Sequence, residues 1–78
     1  MKTIQAANIT VSKTLKALLD EMGNECKNFL DLLGRLEAGG LSKEQLGEVL
    51  GEMAGSVAHL HVHAEGLEGL IGDEMEKL

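Results

Sequence analysis

Three histidines at alternating positions, His59, His61 and His63, are the side chains best suited to chemistry in this sequence. On an α-helix His59 and His63 stand one turn apart on the same face and can jointly ligate zinc or nickel, while His61 points elsewhere. On a strand all three share a face, but apolar residues at helical spacing run through Leu60 and Ala64 and set that geometry aside. Two imidazoles are an incomplete ligand set. The chain has no Cys-x-x-Cys, Glu-x-x-His or His-Glu-x-x-His pattern to complete it, which leaves Asp20 or Glu21 of a facing helix, or the histidines of a second subunit. Three ordinary solvent-side histidines are the simpler account, and on that account the protein holds no cofactor. A related use needs no metal: protonation at about pH 6 adds charge between Met53 and Ala64 and so can tighten or loosen an interface there.

Catalysis has little else to draw on. Cys26 is the sole cysteine, so no intrachain disulfide is available, and Glu25 beside it disfavours a reactive thiolate. There is no glycine-rich phosphate loop, no nucleophile elbow and, with one Phe and no Trp or Tyr, no aromatic-lined pocket. The expectation is a protein that is not an enzyme.

The elements that position these residues are legible in the apolar spacing. Ile4, Asn8, Val11, Leu15, Leu18, Met22, Glu25, Phe29, Leu32 and Leu36 follow alternating steps of four and three, and all but Asn8 and Glu25 are apolar. The same steps give Leu46, Leu50, Met53, Val57, Leu60, Ala64, Leu67, Ile71, Glu74 and Leu78, where only Glu74 breaks the line. At 44% apolar composition, chance supplies about half that number, so the 3.5-residue period is a helical signal. Leu19, Cys26 and Leu33 lie beside the first line and widen its stripe beyond that of a two-stranded coil. Glu25, near the middle of its line, either fixes register or sits at the wet margin of a seam that drifts towards Cys26.

Between the two runs, Gly39-Gly40-Leu41-Ser42 reads as a turn. A glycine closes the first helix, Leu41 folds back as its apolar contact, and Ser42 caps the second helix with Gln45 completing the capping box. The expected fold is therefore all-α: a coiled-coil-like antiparallel two-helix hairpin forming a single domain over 1–78. Helix 1 is expected over about 3–38, the turn over 39–42 and helix 2 over about 43–77. Met22-Gly23-Asn24-Glu25 offers a competing break, as do Ser56 and Gly66, but Met22 and Phe29 keep heptad phase. Folding about Gly40 puts residues whose numbers add to about 80 level. Lys13 and Lys16 then come level with Glu68 and Glu65, Lys27 with Glu52, Arg35 with Glu44 and Glu48, and Asp20 and Glu21 with His59 and His61, an agreement of level only, since several of these side chains fall on outer positions of the heptad.

Six glycines in helix 2 each cost about 1 kcal/mol relative to alanine in a helix interior. Gly47, Gly51 and Gly55 recur every four residues and Ala58 continues the line, a bare strip against which another helix can dock. A lone hairpin has too little interior for stripes this wide, so two hairpins are expected to pair as a homodimer into a four-helix bundle. The net charge of -6 argues against nucleic acid and against anionic membranes. From Gly39 onward two lysines face eight acids, which favours a basic protein partner. No signal-peptide or membrane-spanning pattern is present, and a cytoplasmic location is expected. The function that fits is a small acidic, self-associating interaction or scaffold module, with a histidine-dependent metal-binding or pH-sensing bundle as the alternative.

Overall fold

The computed structural model describes residues 11–78 of the chain. Helix α1 spans Lys13–Ala38 and helix α2 spans Lys43–Glu76, and the two pack against each other as an antiparallel hairpin. Both are continuous: α1 passes through Gly23 and Asn24, and α2 passes through Ser56 and Gly66, without a break.

A serine cap opens α1. Ser12 has extended backbone (φ -61°, ψ 154°), and its hydroxyl accepts the N–H of Leu15 at 3.2 Å, which caps α1 at Lys13; the expected start near residue 3 lies outside the described residues. Such a cap satisfies one of the donors that the first helical turn leaves without a partner. Ile4 and Asn8 lie outside the described residues.

The turn forms as its residue types require. Gly39 (φ 76°) and Gly40 (φ 73°) both occupy the left-handed region that a Cβ disfavours, and the Gly39 N–H donates to the carbonyl of Leu36 at 3.3 Å. Leu41 is half-buried. Ser42 and Gln45 make the reciprocal capping box: the Gln45 N–H donates to Ser42 Oγ at 3.1 Å, and the Ser42 N–H to Gln45 Oε1 at 2.9 Å.

Two contacts between the helices set the register. The Ser12 N–H donates to Glu74 Oε1 at 2.7 Å, and His59 Nδ1 lies 3.3 Å from Glu25 Oε2. Level residues therefore have numbers adding to about 85, not about 80. Gly39 and Gly40 at positive φ, followed by Ser42 in extended backbone, carry the chain onward before α2 begins, so α2 overshoots the end of α1 by about one turn. The lysines and arginine that the earlier register put level with acids of α2 make no cross-helix ion pair among the described residues. Lys16 instead pairs with Asp20 on its own helix at 2.9 Å, and His61 lies 3.7 Å from Glu65.

From Leu15 on, the seam of α1 follows the predicted line: Leu15, Leu18, Met22, Glu25, Phe29, Leu32 and Leu36 are all buried or half-buried, whereas Val11 precedes the helix and is exposed. The seam of α2 does not. Met53, Leu60, Leu67 and Glu74 face α1 as expected, but the alternate positions are Val49, Ser56, His63 and Leu70. Leu50, Val57 and Ile71 are 49%, 52% and 40% exposed, Leu46 is exposed over the overhang, and Ala64 is exposed as well. The helix is rolled by about half a heptad step. Because α2 is apolar on three adjacent lines, one of them must face away from a single neighbour.

Candidate functional site

The consequence of that roll is a two-faced hairpin. Two right-handed helices running in opposite directions turn in mirrored senses about their common seam, so the positions directly following the seam in each heptad fall on one side of the pair. In α1 that flank is Leu19, Cys26 and Leu33, and in α2 it is Leu50, Val57, Ala64 and Ile71. At the hairpin's register they form cross-helix levels: Leu33 with Leu50, Cys26 with Val57, and Leu19 with Ala64. Leu30 of α1 and Ala54 of α2 extend the same face outward. Leu19 is 37% and Leu30 62% exposed.

The opposite flank is polar. Thr14, Glu21, Asn28 and Arg35 of α1 lie beside Gln45, Glu52, His59 and Asp73 of α2, and the Glu25–His59 contact lies on this side. Val62, 64% exposed, and Gly66 are the apolar exceptions on this flank. The molecule measures 52 × 30 × 14 Å, its smallest dimension close to the diameter of one helix. Its radius of gyration is 17.4 Å, against about 11 Å for a compact domain of this length. Among the described residues only Leu15, Leu32, Val49 and Leu67 are buried apolar side chains. A domain is normally at least two packed layers, and this is one.

The seam itself carries polar groups with no partner. Ser56 is 4% exposed, yet its hydroxyl has no hydrogen bond, and the buried Nδ1 of His63 has none either. His63 borders a small notch lined by Leu18, Val62, Gly66 and Leu67, where glycine leaves space beside the seam.

The histidines singled out above take separate roles. His59 is exposed and faces Glu25, His61 faces Glu65 on its own helix, and only His63 turns into the seam. No group of three or more His, Cys, Asp or Glu able to hold a metal ion occurs among the described residues. Asp20 and Glu21, the facing-helix carboxylates expected beside His59 and His61, are replaced there by Glu25, a consequence of the five-residue change in register. Gly47, Gly51, Gly55 and Ala58 are all exposed on the outside of α2, and a Cβ built at any of the three glycines meets nothing within 4 Å in the hairpin. Cys26 is exposed within the apolar face.

At the open end of the hairpin, Glu74 receives hydrogen bonds from the Lys77 ammonium at 2.9 Å and from the Ser12 N–H. The Lys77 contact first, and the Ser12 N–H second, hold the Glu74 carboxyl below its ordinary value, and the same ion pair raises Lys77. This cross-link ties the start of α1 to the last turn of α2.

The wide stripe of α2 contained the signal for its roll, since Val49 and Leu70 are as apolar as the residues assigned to the seam. The burial of Ser56 and His63 had no such signal. No described helix is long and apolar enough to cross a membrane. No protein-family model, curated protein or solved structure matches the chain.

Proposed function

We propose that the protein is a self-associating interaction module in which two hairpins pair through their apolar faces into a four-helix bundle. The observation that carries this reading is the choice of seam. The chain turns Val49, Ser56, the half-buried His63 and Leu70 against α1 and leaves Leu50, Val57, Ala64 and Ile71 outside. For a solitary hairpin that is the wrong way round, because each large apolar side chain gains about 1.5–3 kcal/mol on full burial, and an unpartnered buried hydroxyl loses free energy. With a second layer over the face both apolar lines of α2 are covered, one by its own α1 and one by the partner hairpin. A contiguous exposed apolar face rimmed by polar residues is the ordinary mark of an association surface. Pairing leaves the acidic outer surface of α2, including Glu44 and Glu65, facing outward, the surface to which a basic partner protein is drawn.

Sedimentation equilibrium over a range of concentrations tests the proposal. The expected result is a reversible dimer of about twice the chain mass, lost in Val57→Glu, which places a charge on the face and leaves the hairpin seam untouched. A fully helical wild-type monomer at several hundred micromolar refutes it.

A further inference from the structure

We infer that α2 has two resting positions against α1, and that uptake of a proton by His63 rolls it from the position described into the other and so withdraws the apolar face. The roll is a property of one hairpin; its effect on assembly rests on the self-association proposed above. Two seams exist because α2 is apolar on three adjacent lines. Met53, Leu60, Leu67 and Glu74 belong to both. In the position described Ser56 and His63 stand between them, level with Phe29 and Met22 of α1. A roll of about 50°, half the angle between successive helical residues, puts Val57 and Ala64 there instead. Leu50 and Ile71 then replace Val49 and Leu70, apolar for apolar, so the two positions differ chiefly in what becomes of Ser56 and His63. The tie from Ser12 to Glu74 is kept, since Glu74 lies in both seams.

His63 is the group that tells the two apart. A neutral imidazole keeps its hydrogen on one nitrogen and can turn the bare one inward, and the Nδ1 of His63 is buried in the seam without a hydrogen-bond partner. Imidazolium, formed near pH 6.5 in water, carries hydrogen on both nitrogens, so the same placement buries a charged donor that has no acceptor. Leu18 borders His63 and Met22 stands level with it, and neither side chain of α1 accepts that hydrogen. Of the carboxylates of α1 near this level, Glu21 lies on the polar flank, Glu25 is engaged by His59, and Asp20 is held by Lys16 on the outside. On α2, His59 stands one turn before His63, while His61 and Glu65 face each other away from the seam.

The roll that brings Val57 and Ala64 inward carries His63 and Ser56 towards the polar flank, and each arrives opposite a polar side chain of α1. His63 comes level with Glu21 and Ser56 with Asn28, the same relation in register that Glu25 and His59 have in contact. The roll breaks one contact, that of His59 with Glu25. His59 is 70% exposed and its pairing is worth little in water, whereas the orphaned nitrogen of His63 is buried, so His63 decides the direction and acid favours the roll. In the rolled position Leu50, Val57 and Ile71 turn towards α1 and no longer share a face with Leu19, Cys26 and Leu33. The continuous apolar face is then gone, and with it the surface on which a second hairpin would pack.

Phe29 is the sole aromatic residue and stands where the exchange takes place, so its ring is the reporter. Isotopically labelled chain diluted into unlabelled chain gives nuclear Overhauser contacts within one hairpin. The expected result is a ring closer to Ser56 than to Val57 at pH 7.5, with the order reversed at pH 5.5. In His63→Leu, and in His63→Gln should leucine overpack the seam, the order of pH 7.5 holds at both. Sedimentation supplies the second readout. With about a third of the chains left unrolled at pH 5.5, and both partners having to present the face, the wild-type dissociation constant rises about tenfold, while that of the variants stays constant. An unchanged order in the wild type overturns the roll, and a reversal that persists in both variants overturns the assignment to His63. A dimer whose contacts never reverse removes the roll and leaves self-association. A chain that reverses its contacts but sediments as a monomer at both pH values removes self-association and leaves the roll. Reversal with no loss of dimer affinity overturns the withdrawal of the face.

Discussion

Ser56→Ala should stabilise the protein, against the usual direction of a substitution in a packed seam. Ser56 is 4% exposed, stands level with Phe29, and its hydroxyl has no hydrogen-bond partner. Leaving a buried hydroxyl without a partner costs about 1–3 kcal/mol. Alanine removes that cost, loses only one oxygen of volume, and is also the better helix former by a few tenths of a kcal/mol. The sum is a gain of about 1–2 kcal/mol, equivalent to a rise of roughly 4–16 °C in Tm for a domain of this size. Thermal unfolding followed by circular dichroism is the assay. It should be run at several protein concentrations, because association of the folded state also raises apparent stability. A stabilisation that persists at every concentration supports the assignment. A loss of 1 kcal/mol or more refutes it, and shows that the hydroxyl bonds a carbonyl one turn back, as serine can in a helix.

The helix ends and glycines give three further outcomes. Ser42→Ala breaks the capping box at the start of α2 and should cost about 1 kcal/mol in urea unfolding. Gly40→Ala forces a Cβ into φ 73° and should cost about 1–2 kcal/mol, whereas Gly51→Ala, where a Cβ meets nothing in the hairpin, should gain up to about 1 kcal/mol. A gain at Gly51 in stability accompanied by weaker self-association in sedimentation would instead assign the bare glycine strip to the interface. The Ser12–Glu74 tie has a defined pH dependence. Because the folded-state carboxyl is held below 4.5, the tie is fully present above that value and is lost as pH falls through the lowered one. Hydrogen exchange at the Ser12 amide should therefore lose protection on acidification below pH 4.5, and in Glu74→Gln it should be weakly protected at every pH.

How much of this was legible beforehand divides by the range of the interaction that decides it. The turn and its caps were readable because each depends on residues within four positions: glycine for a positive φ, serine and glutamine for reciprocal bonds to backbone N–H groups. The seam of α1 was readable because its stripe is flanked by Thr14, Glu21, Asn28 and Arg35 on one side and has a single apolar centre. The cap at Ser12 was not readable, because the apolar period runs on through Val11 and does not show that Ser12 adopts extended backbone. The register missed by about five residues because linker conformation, not linker length, sets where α2 begins. For α2 the spacing allowed two seams sharing Met53, Leu60, Leu67 and Glu74, and apolar content favoured the wrong one.

That last error bears on the function. Choosing between two seams by apolar content assumes that the hairpin is the whole folding unit, so the better line should be inside it. The structure places the better line outside and sets it level with Leu19, Cys26 and Leu33, so that apolar residues from both helices form one continuous face. Had α2 rolled the other way, Val57 and Ile71 would cover α1, Ser56 and His63 would reach water, and the three side chains of α1 would stand alone. The observed roll concentrates the uncovered surface on one side, the condition under which a second layer can cover it in a single contact. Under the proposed self-association the preference is a property of two chains: the polar groups in the seam cost each hairpin stability, and the exposed face would offset that cost once another hairpin lay against it.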